Sequence, residues 1–274
     1  MANALGFPDG QYLPWPQMLE AVARVCRAVK VPVTADIESG FAASVTALET
    51  SIAQIIQAGA VGVNLEDVVP ANASPDNSDP ENSDANNVDA KNRDPQKADP
   101  KQANPVRHGS PLFPLREQIA RIQAARRAAQ AAGIHLVINA RTDAYWQAGV
   151  DPAEAMRNTH ERGKAYLQAG ADCIFIPGLR NPDHIRTVID HLRGFHQDAV
   201  HSEPAINILA GPGVPSIPEL AKLGVKRVSY GSGPHRAAMG LLRRIASEAR
   251  TSGTFQALTE GAVPYEEING LMGK

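Results

Sequence analysis

Cysteine is nearly absent. Cys26 and Cys173 are the only two in 274 residues, one in a helical pattern and one in a strand pattern. That excludes a disulfide framework and any cysteine-based zinc spacing, and predicts reduced core thiols of a cytoplasmic protein. Long hydrophobic runs are absent too. None approaches the roughly 18 residues a membrane span needs, so no membrane partner is expected. The N-terminus shows no charged segment followed by an apolar stretch, the mark of a secretory signal. Charge of one sign is not in excess: 27 Lys and Arg face 29 Asp and Glu, for a net charge of −2. A general nucleic-acid binder would be basic, so no nucleic-acid partner is predicted. A Gly-rich dinucleotide fingerprint follows none of the strand patterns. Ser232 lies in Gly-Ser-Gly, not in a nucleophile elbow, which argues against a serine hydrolase. What is present is ordinary globular material, 43% hydrophobic and 20% charged, enough for a sizeable core.

One segment departs from this. Residues 71–105 break into seven pentads, ANASP, DNSDP, ENSDA, NNVDA, KNRDP, QKADP and KQANP. Val88 is their only large apolar residue. Recurrent Pro blocks helices and ladders, and so polar a stretch cannot offset its ordering entropy. We expect a solvated, disordered low-complexity insertion over 71–110, inside a single domain covering 1–274. Its acids and amides lack the register of a calcium loop, so it reads as a linker.

Outside the insertion, helix and strand patterns alternate. Helices are predicted over 17–29, with Met18, Leu19, Val22, Val25 and Val29 on one face, and from the cap Ser44 to Gly59. Further helices are predicted over 115–133, from Asp151-Pro152 to Gly170, over 182–192 behind Asn181, after the Ser216/Glu219 capping box, and over 234–250. Strands are predicted over 31–37, 61–66, 134–140, 172–176, 205–210 and 226–230. Their continuous apolar character suits a parallel sheet covered by helices. The repeated βα unit predicts a (β/α)8 barrel of which only about six strands are visible.

Sites in such barrels lie at strand C-terminal ends. Those ends carry Asp36 and Glu38, then Asn64, Glu66 and Asp67, then Asn139, Arg141 and Asp143, and later Asn207 and His235-Arg236. Asp36 and Glu38 are two apart and so share a strand face. Three carboxylates from neighbouring strands would repel without a cation, and hard oxygen ligands suit Mg²⁺. Arg141 could hold a carboxylate or phosphonate through two N–H groups. The plainer alternatives are that Asp67 and Asp143 only cap helices and that Glu66 pairs with Arg141 structurally. The histidines at 108, 160, 184, 191, 196 and 201 fall in loops or on helix surfaces, where solvation is the ordinary role.

Five segments, VPVTADIESGF, AGAVGVNLED, VINARTDAY, AGADCIFIPG and VSYGSGPHRAA, resemble in order those of the isocitrate lyase / phosphoenolpyruvate mutase superfamily. The resemblance implies a Mg²⁺-dependent lyase, mutase or hydrolase that acts on a small 2-oxo acid or phosphonate through a metal-bound enolate. It implies that Asp36 and Glu38 bind the metal, that Glu66 belongs to its water-mediated shell, and that Arg141, Asn207 and Arg236 contact substrate. It also implies a homo-oligomer, dimer or tetramer. The chain departs from the family in three places. Two opening strands are not represented, so a longer protein starting upstream of Met1 is one expectation. The lyase Lys-x-Cys-Gly-His loop is replaced by the pentads. Pro177-Gly178 stands where the lyases have Glu and the mutases His. No catalytic Cys or His is thereby matched, and the alternative function is a non-catalytic barrel that binds a small oxo acid or a partner.

Overall fold

The structure is a computed structural model and describes residues 2–70, 111–147, 149–195 and 204–272. The pentads, with His108, His196 and His201, lie outside the described residues. Six strands, β1 (Thr34–Asp36), β2 (Gly62–Glu66), β3 (Val137–Arg141), β4 (Cys173–Phe175), β5 (Ala205–Leu209) and β6 (Arg227–Ser229), form one sheet in sequence order. The pairs from β1 to β5 are parallel. Between them run α2 (Val45–Gln57), α3 (Leu115–Ala131), α4 (Pro152–Gln168), α5 (Pro182–Leu192) and α6 (Ile217–Leu223), with α1 (Trp15–Ala28) ahead of β1. A parallel strand following a right-handed crossover always places its helix on the same side of the sheet, so one face is covered throughout. This is the barrel-type curl predicted from the βα repeat. An Arg227 Nη2 donates to Thr34 Oγ1 at 3.2 Å, so the side chain of the last strand reaches the first.

The chain divides into two compact units. The first holds 1–209 and 213–228, and therefore all of β1 to β5 and α1 to α6. The second holds 210–212 and 229–274, with α7 (Gly233–Thr251), α8 (Gln256–Thr259) and α9 (Tyr265–Met272). Among the described residues, no helix is long and apolar enough to cross a membrane.

Local chemistry explains the helix ends. Ser44 Oγ accepts from the Ala47 N–H, Asp151 Oδ1 from Ala153 and Glu154, and Asn181 Oδ1 from Asp183 and His184. Each satisfies N–H groups that an α-helix leaves unpaired, at about 1 kcal/mol per cap. The Ser216/Glu219 capping box forms as predicted.

Periodicity misjudged one helix face. On α1 only Met18 and Val22 are buried, whereas Val25 and Val29 stay about 40% exposed. On α3 the buried stripe holds Gln118, Arg121, Ile122, Ala125 and Ala129, with Leu115 and Ile119 partly buried against the core. A buried arginine in that stripe turns out to matter.

The strands are not apolar on both faces. Ala35, Ile37, Val63, Leu65, Ile138, Ala140, Ile174, Ile176, Ile206 and Ile208 are all buried and alternate along the helix-covered side. The opposite side of β1 to β3 carries Asp36, Asn64, Glu66, Asn139 and Arg141, of which Asn64, Glu66 and Asn139 are buried. Leu48, Ile52 and Ile55 of α2 are 0% exposed on the apolar side, each stabilising by about 1.5–3 kcal/mol.

Candidate active site

Register stacks the polar face into two rungs. Asp36 lies opposite Asn64, Asn64 opposite Asn139, and Asn139 opposite Cys173. One step toward the strand ends, Glu66 lies opposite Arg141, Arg141 opposite Phe175, and Phe175 opposite Asn207. Residues two apart on a strand share a face, so the rungs lie one above the other.

The lower rung is an amide relay. Asn139 Nδ2 donates to Asn64 Oδ1 at 2.7 Å, and Asn64 Nδ2 donates to Asp36 Oδ1 at 3.2 Å. Asp36 Oδ1 also accepts the Glu38 N–H at 3.1 Å. Asp36 itself is exposed, so one carboxylate oxygen is oriented by the protein while the residue faces open space. Burial pushes the Cys173 thiol of this rung up to about 12, which makes it inert.

The upper rung is an ion cluster. Arg141 Nη1 lies 2.6 Å from Glu66 Oε2, while Nε and Nη2 grip Asp143 Oδ1 and Oδ2 at 2.7 and 2.8 Å. Burial pushes the Glu66 carboxyl up to about 8 against the pull of Arg141, and Asp36, Asp143 and Glu38 add to the rise. Burial works against the Arg141 charge, yet Glu66 and Asp143 hold the guanidinium above its ordinary range. The suspected Glu66–Arg141 pairing is real. Among the described residues, Arg141 is held through Nε and Nη2 by Asp143 and through Nη1 by Glu66. Asn207 is fully buried beside this rung.

Asp67 belongs elsewhere. Its Oδ1 accepts the Asp143 N–H at 3.0 Å, and its Oδ2 takes Tyr166 Oη at 2.7 Å and Arg162 Nη1 at 3.2 Å. Fully buried, it ties β2 to β3 and α4. The stem of the insertion starts here. Phe113 N–H donates to Asp67 O at 2.8 Å, Val68 bridges Leu112, and Val69 N–H donates to Pro111 O at 2.9 Å.

The turn after β1 carries the remaining acid. Glu38 sits past the strand end with φ 49°, followed by Gly40 at 99° and Phe41 at 50°. Two non-glycine residues in the left-handed region cost roughly 1–3 kcal/mol each, and such strain persists only where the surroundings fix it. At Gly40 a Cβ would strike Leu48 Cδ1. Gln11 N–H donates to Glu38 Oε1 at 2.9 Å, and Gln11 Nε2 donates to Ser39 Oγ. Arg121 Nη2 reaches Ser39 O and, at 3.3 Å, Ala42 O.

Among the described residues no three Cys, His, Asp or Glu side chains converge into a ready metal cage. The donor set still fits a hard cation that keeps much of its water. Mg²⁺ usually takes one or two carboxylates and retains several waters. Asp36 and Glu38 are the two candidates, with Glu66 close enough for its carboxyl to feel both. Arg236 lies in the second unit, in the first turn of α7, where its N–H donates to Ser232 O at 2.9 Å.

Residue spacing placed Asn64 and Asn139 at the strand ends without a role, and missed Gln11, Arg121, Arg162 and Tyr166. The signal for Arg121 was a charge inside the apolar stripe of α3; the amides were visible only as polar letters in strands. His160 and His191 are not merely solvated: their rings stack at 4.1 Å, and burial together with His191 holds His160 below its ordinary value. His184 Nδ1 lies 2.8 Å from Tyr145 Oη.

Comparison with known proteins agrees with this geometry. A 2,3-dimethylmalate lyase of Eubacterium barkeri is 25% identical over 275 aligned positions, covering 99% of this chain and 78% of that enzyme. A solved structure from Burkholderia cenocepacia J2315 superposes with a TM-score of 0.74 at 29% identity, over 100% of this chain and 80% of that one. A phosphonopyruvate hydrolase solved with oxalate and Mg²⁺ superposes with a TM-score of 0.67 at 25% identity, covering 99% and 79%. The family profile described as phosphoenolpyruvate phosphomutase matches residues 1–250. With nearly the whole ordered chain matched, and acids, amides and arginine stacked at the strand ends, the chain belongs to the phosphoenolpyruvate mutase / isocitrate lyase superfamily.

Proposed function

We propose that the chain is a lyase-, mutase- or hydrolase-type enzyme acting on a small 2-oxo acid or its phosphonate analogue, with Mg²⁺ as cofactor. The stacked rungs carry this reading: exposed, pre-oriented Asp36 lies beside Glu38, one step below the Arg141 guanidinium. Asp36 and Glu38 would hold the cation. Bound there, Mg²⁺ supplies the Lewis-acid charge that stabilises an oxyanion developing on a 2-oxo group.

The chain's own residues do the rest. Asn64 and Asn139 keep Asp36 in one orientation, so no rotamer freedom is lost when a ligand arrives. Arg141 presents its guanidinium to the carboxylate or phosphonate end of the substrate, held in plane by Asp143. Glu66, whose carboxyl burial raises above its ordinary value, gives up its proton more readily when positive charge comes close. Asn207 adds an amide at the far end of the upper rung. Substrate contact by Arg236 rests on the resemblance alone. The phosphonopyruvate hydrolase bound to oxalate and the dimethylmalate lyase support this substrate class.

A second reading, binding without turnover, is favoured by one observation: Arg141 is already gripped by Glu66 and Asp143. Assaying oxaloacetate, phosphonopyruvate, 2-methylisocitrate and 2,3-dimethylmalate with Mg²⁺ separates the two. Turnover of any of them, inhibited by oxalate, supports the enzyme. Stabilisation by oxalate with no turnover of any supports the binder.

We also propose a homo-oligomer. Met239, Leu242, Phe255, Leu258, Tyr265 and Leu271 of the second unit are each more than half exposed, and exposed apolar side chains grouped in one unit suit an interaction surface. A monomeric mass by light scattering at micromolar concentration would refute it.

A further inference from the structure

Arg121 sits where a charge is expensive. It is 1% exposed, within the α3 stripe that also holds Ile122, Ala125 and Ala129. A buried guanidinium is retained only where its N–H groups are used. The nearest carboxylate, Glu117, is 4.0 Å away and more than one-third exposed, too distant to be a hydrogen-bonded partner. The guanidinium instead lies 4.6 Å over the Phe113 ring and spends Nη2 on the carbonyls of Ser39 and Ala42.

Those two carbonyls bracket the turn in which Gly40 and Phe41 adopt φ of 99° and 50°, and which begins at Glu38 with φ 49°. The turn's internal bond, Gly40 N–H to Ile37 O at 2.7 Å, spans only its first half. Arg121 joins the Ser39 and Ala42 carbonyls, while Gln11 Nε2 donates to Ser39 Oγ. Glu66 N–H donates to Glu38 O at 2.8 Å, so the position of that turn also sets where Glu38 meets the upper rung.

We propose that Arg121 is a positioning residue for the carboxylates of Asp36 and Glu38. It touches neither. By fixing the Ser39 and Ala42 carbonyls it holds the left-handed turn that aims Glu38 at the cation site. Phe113, packed on its other side, is bonded to Asp67 O and accepts Arg162 Nη2 at 3.0 Å, so the same guanidinium links the base of the insertion to the acid-bearing turn. The inference rests on reading Asp36 and Glu38 as cation ligands.

The test uses R121K and R121M beside the full parent chain, with Mg²⁺ titrated by calorimetry and amide hydrogen exchange followed by peptide. Lysine keeps a cation, but its shorter stem ends a bond short of the Nη2 position and it lacks the planar group that lies over the Phe113 ring. In R121K, Mg²⁺ should bind at least about tenfold more weakly, and the peptide covering 38–43 should exchange at least about tenfold faster, with α2 and α3 protected as in the parent. R121M should show the larger loss, and if it does not fold, R121K decides. Parent-like Mg²⁺ affinity and parent-like protection of 38–43 in R121K would overturn the proposal. So would a uniform loss of protection through α2, α3 and the turn, since Arg121 would then be only a core residue. A parent that binds no Mg²⁺ removes the cation assignment alone; the exchange measurement still judges the hold of Arg121 on the turn.

Discussion

Glu66 should make the protein lose stability as pH rises, the reverse of the usual behaviour of a carboxylate. Its carboxyl is 7% exposed, and burial with three neighbouring acids lifts it from 4.5 to about 8. Between those values the native state holds more protons than the unfolded chain, so stability present below about 4.5 drains away as pH climbs to about 8. At about 1.4 kcal/mol per tenfold, the rise is worth at most about 5 kcal/mol. That figure already contains the pull of Arg141, and relaxation with water penetration on ionisation reduces it further, so about half of it is expected. E66Q is the clean perturbation. An amide replaces the protonated acid at nearly equal shape, and Arg141 keeps its two bonds to Asp143. Thermal melts of parent and variant in EDTA, from pH 5 to 9, give the difference curve directly. The two should nearly coincide at pH 5. By pH 8 the variant should be the more stable by about 2 kcal/mol, roughly 4–8 °C for a chain of this size. A flat difference curve, or a parent that gains on E66Q as pH rises, would show that Arg141 keeps Glu66 ionised throughout and that the reasoning is wrong.

Mg²⁺ at about one hundred times its dissociation constant should stabilise the parent by about 2.7 kcal/mol, and D36A should abolish that increment; an equal response in D36A places the cation elsewhere. N64L strands the Asn139 amide and removes a donor from Asp36, so urea unfolding should show a loss of about 1–3 kcal/mol. Full stability in N64L would mean that the relay carries no weight. The stem Val68–Leu112 brings the ends of the insertion together. Replacing 71–110 with a short Gly-containing turn should therefore keep cooperative unfolding and gain up to about 2 kcal/mol of closure entropy. Calorimetry showing a broadened or lost transition would mean that the insertion supports the fold.

Sequence alone determined the rhythm of the fold. Helix caps at Ser44, Asp151, Asn181 and Ser216, and apolar runs ended by polar residues, are local signals carried by neighbouring positions, and each element formed within a few residues of its expected place. The barrel-type sheet followed, because sequential parallel strands with right-handed crossovers leave little choice. Membership of the superfamily was legible too, since it rests on an ordered string of segments. Only the tertiary structure decided which letters act together. Register set Asp36 beside Asn64 and Asn139, and Glu66 beside Arg141, from positions far apart in the chain. It assigned Asp67 to a buried tie with Tyr166 and Arg162, although it stands next to Glu66. It carried Arg121 from α3 to the carbonyls of Ser39 and Ala42. The α1 residues Val25 and Val29 match the helical period as well as Val22 does, yet they stay exposed. Periodicity reports which side of a helix is apolar, and only the neighbours in space decide how far along that side is covered.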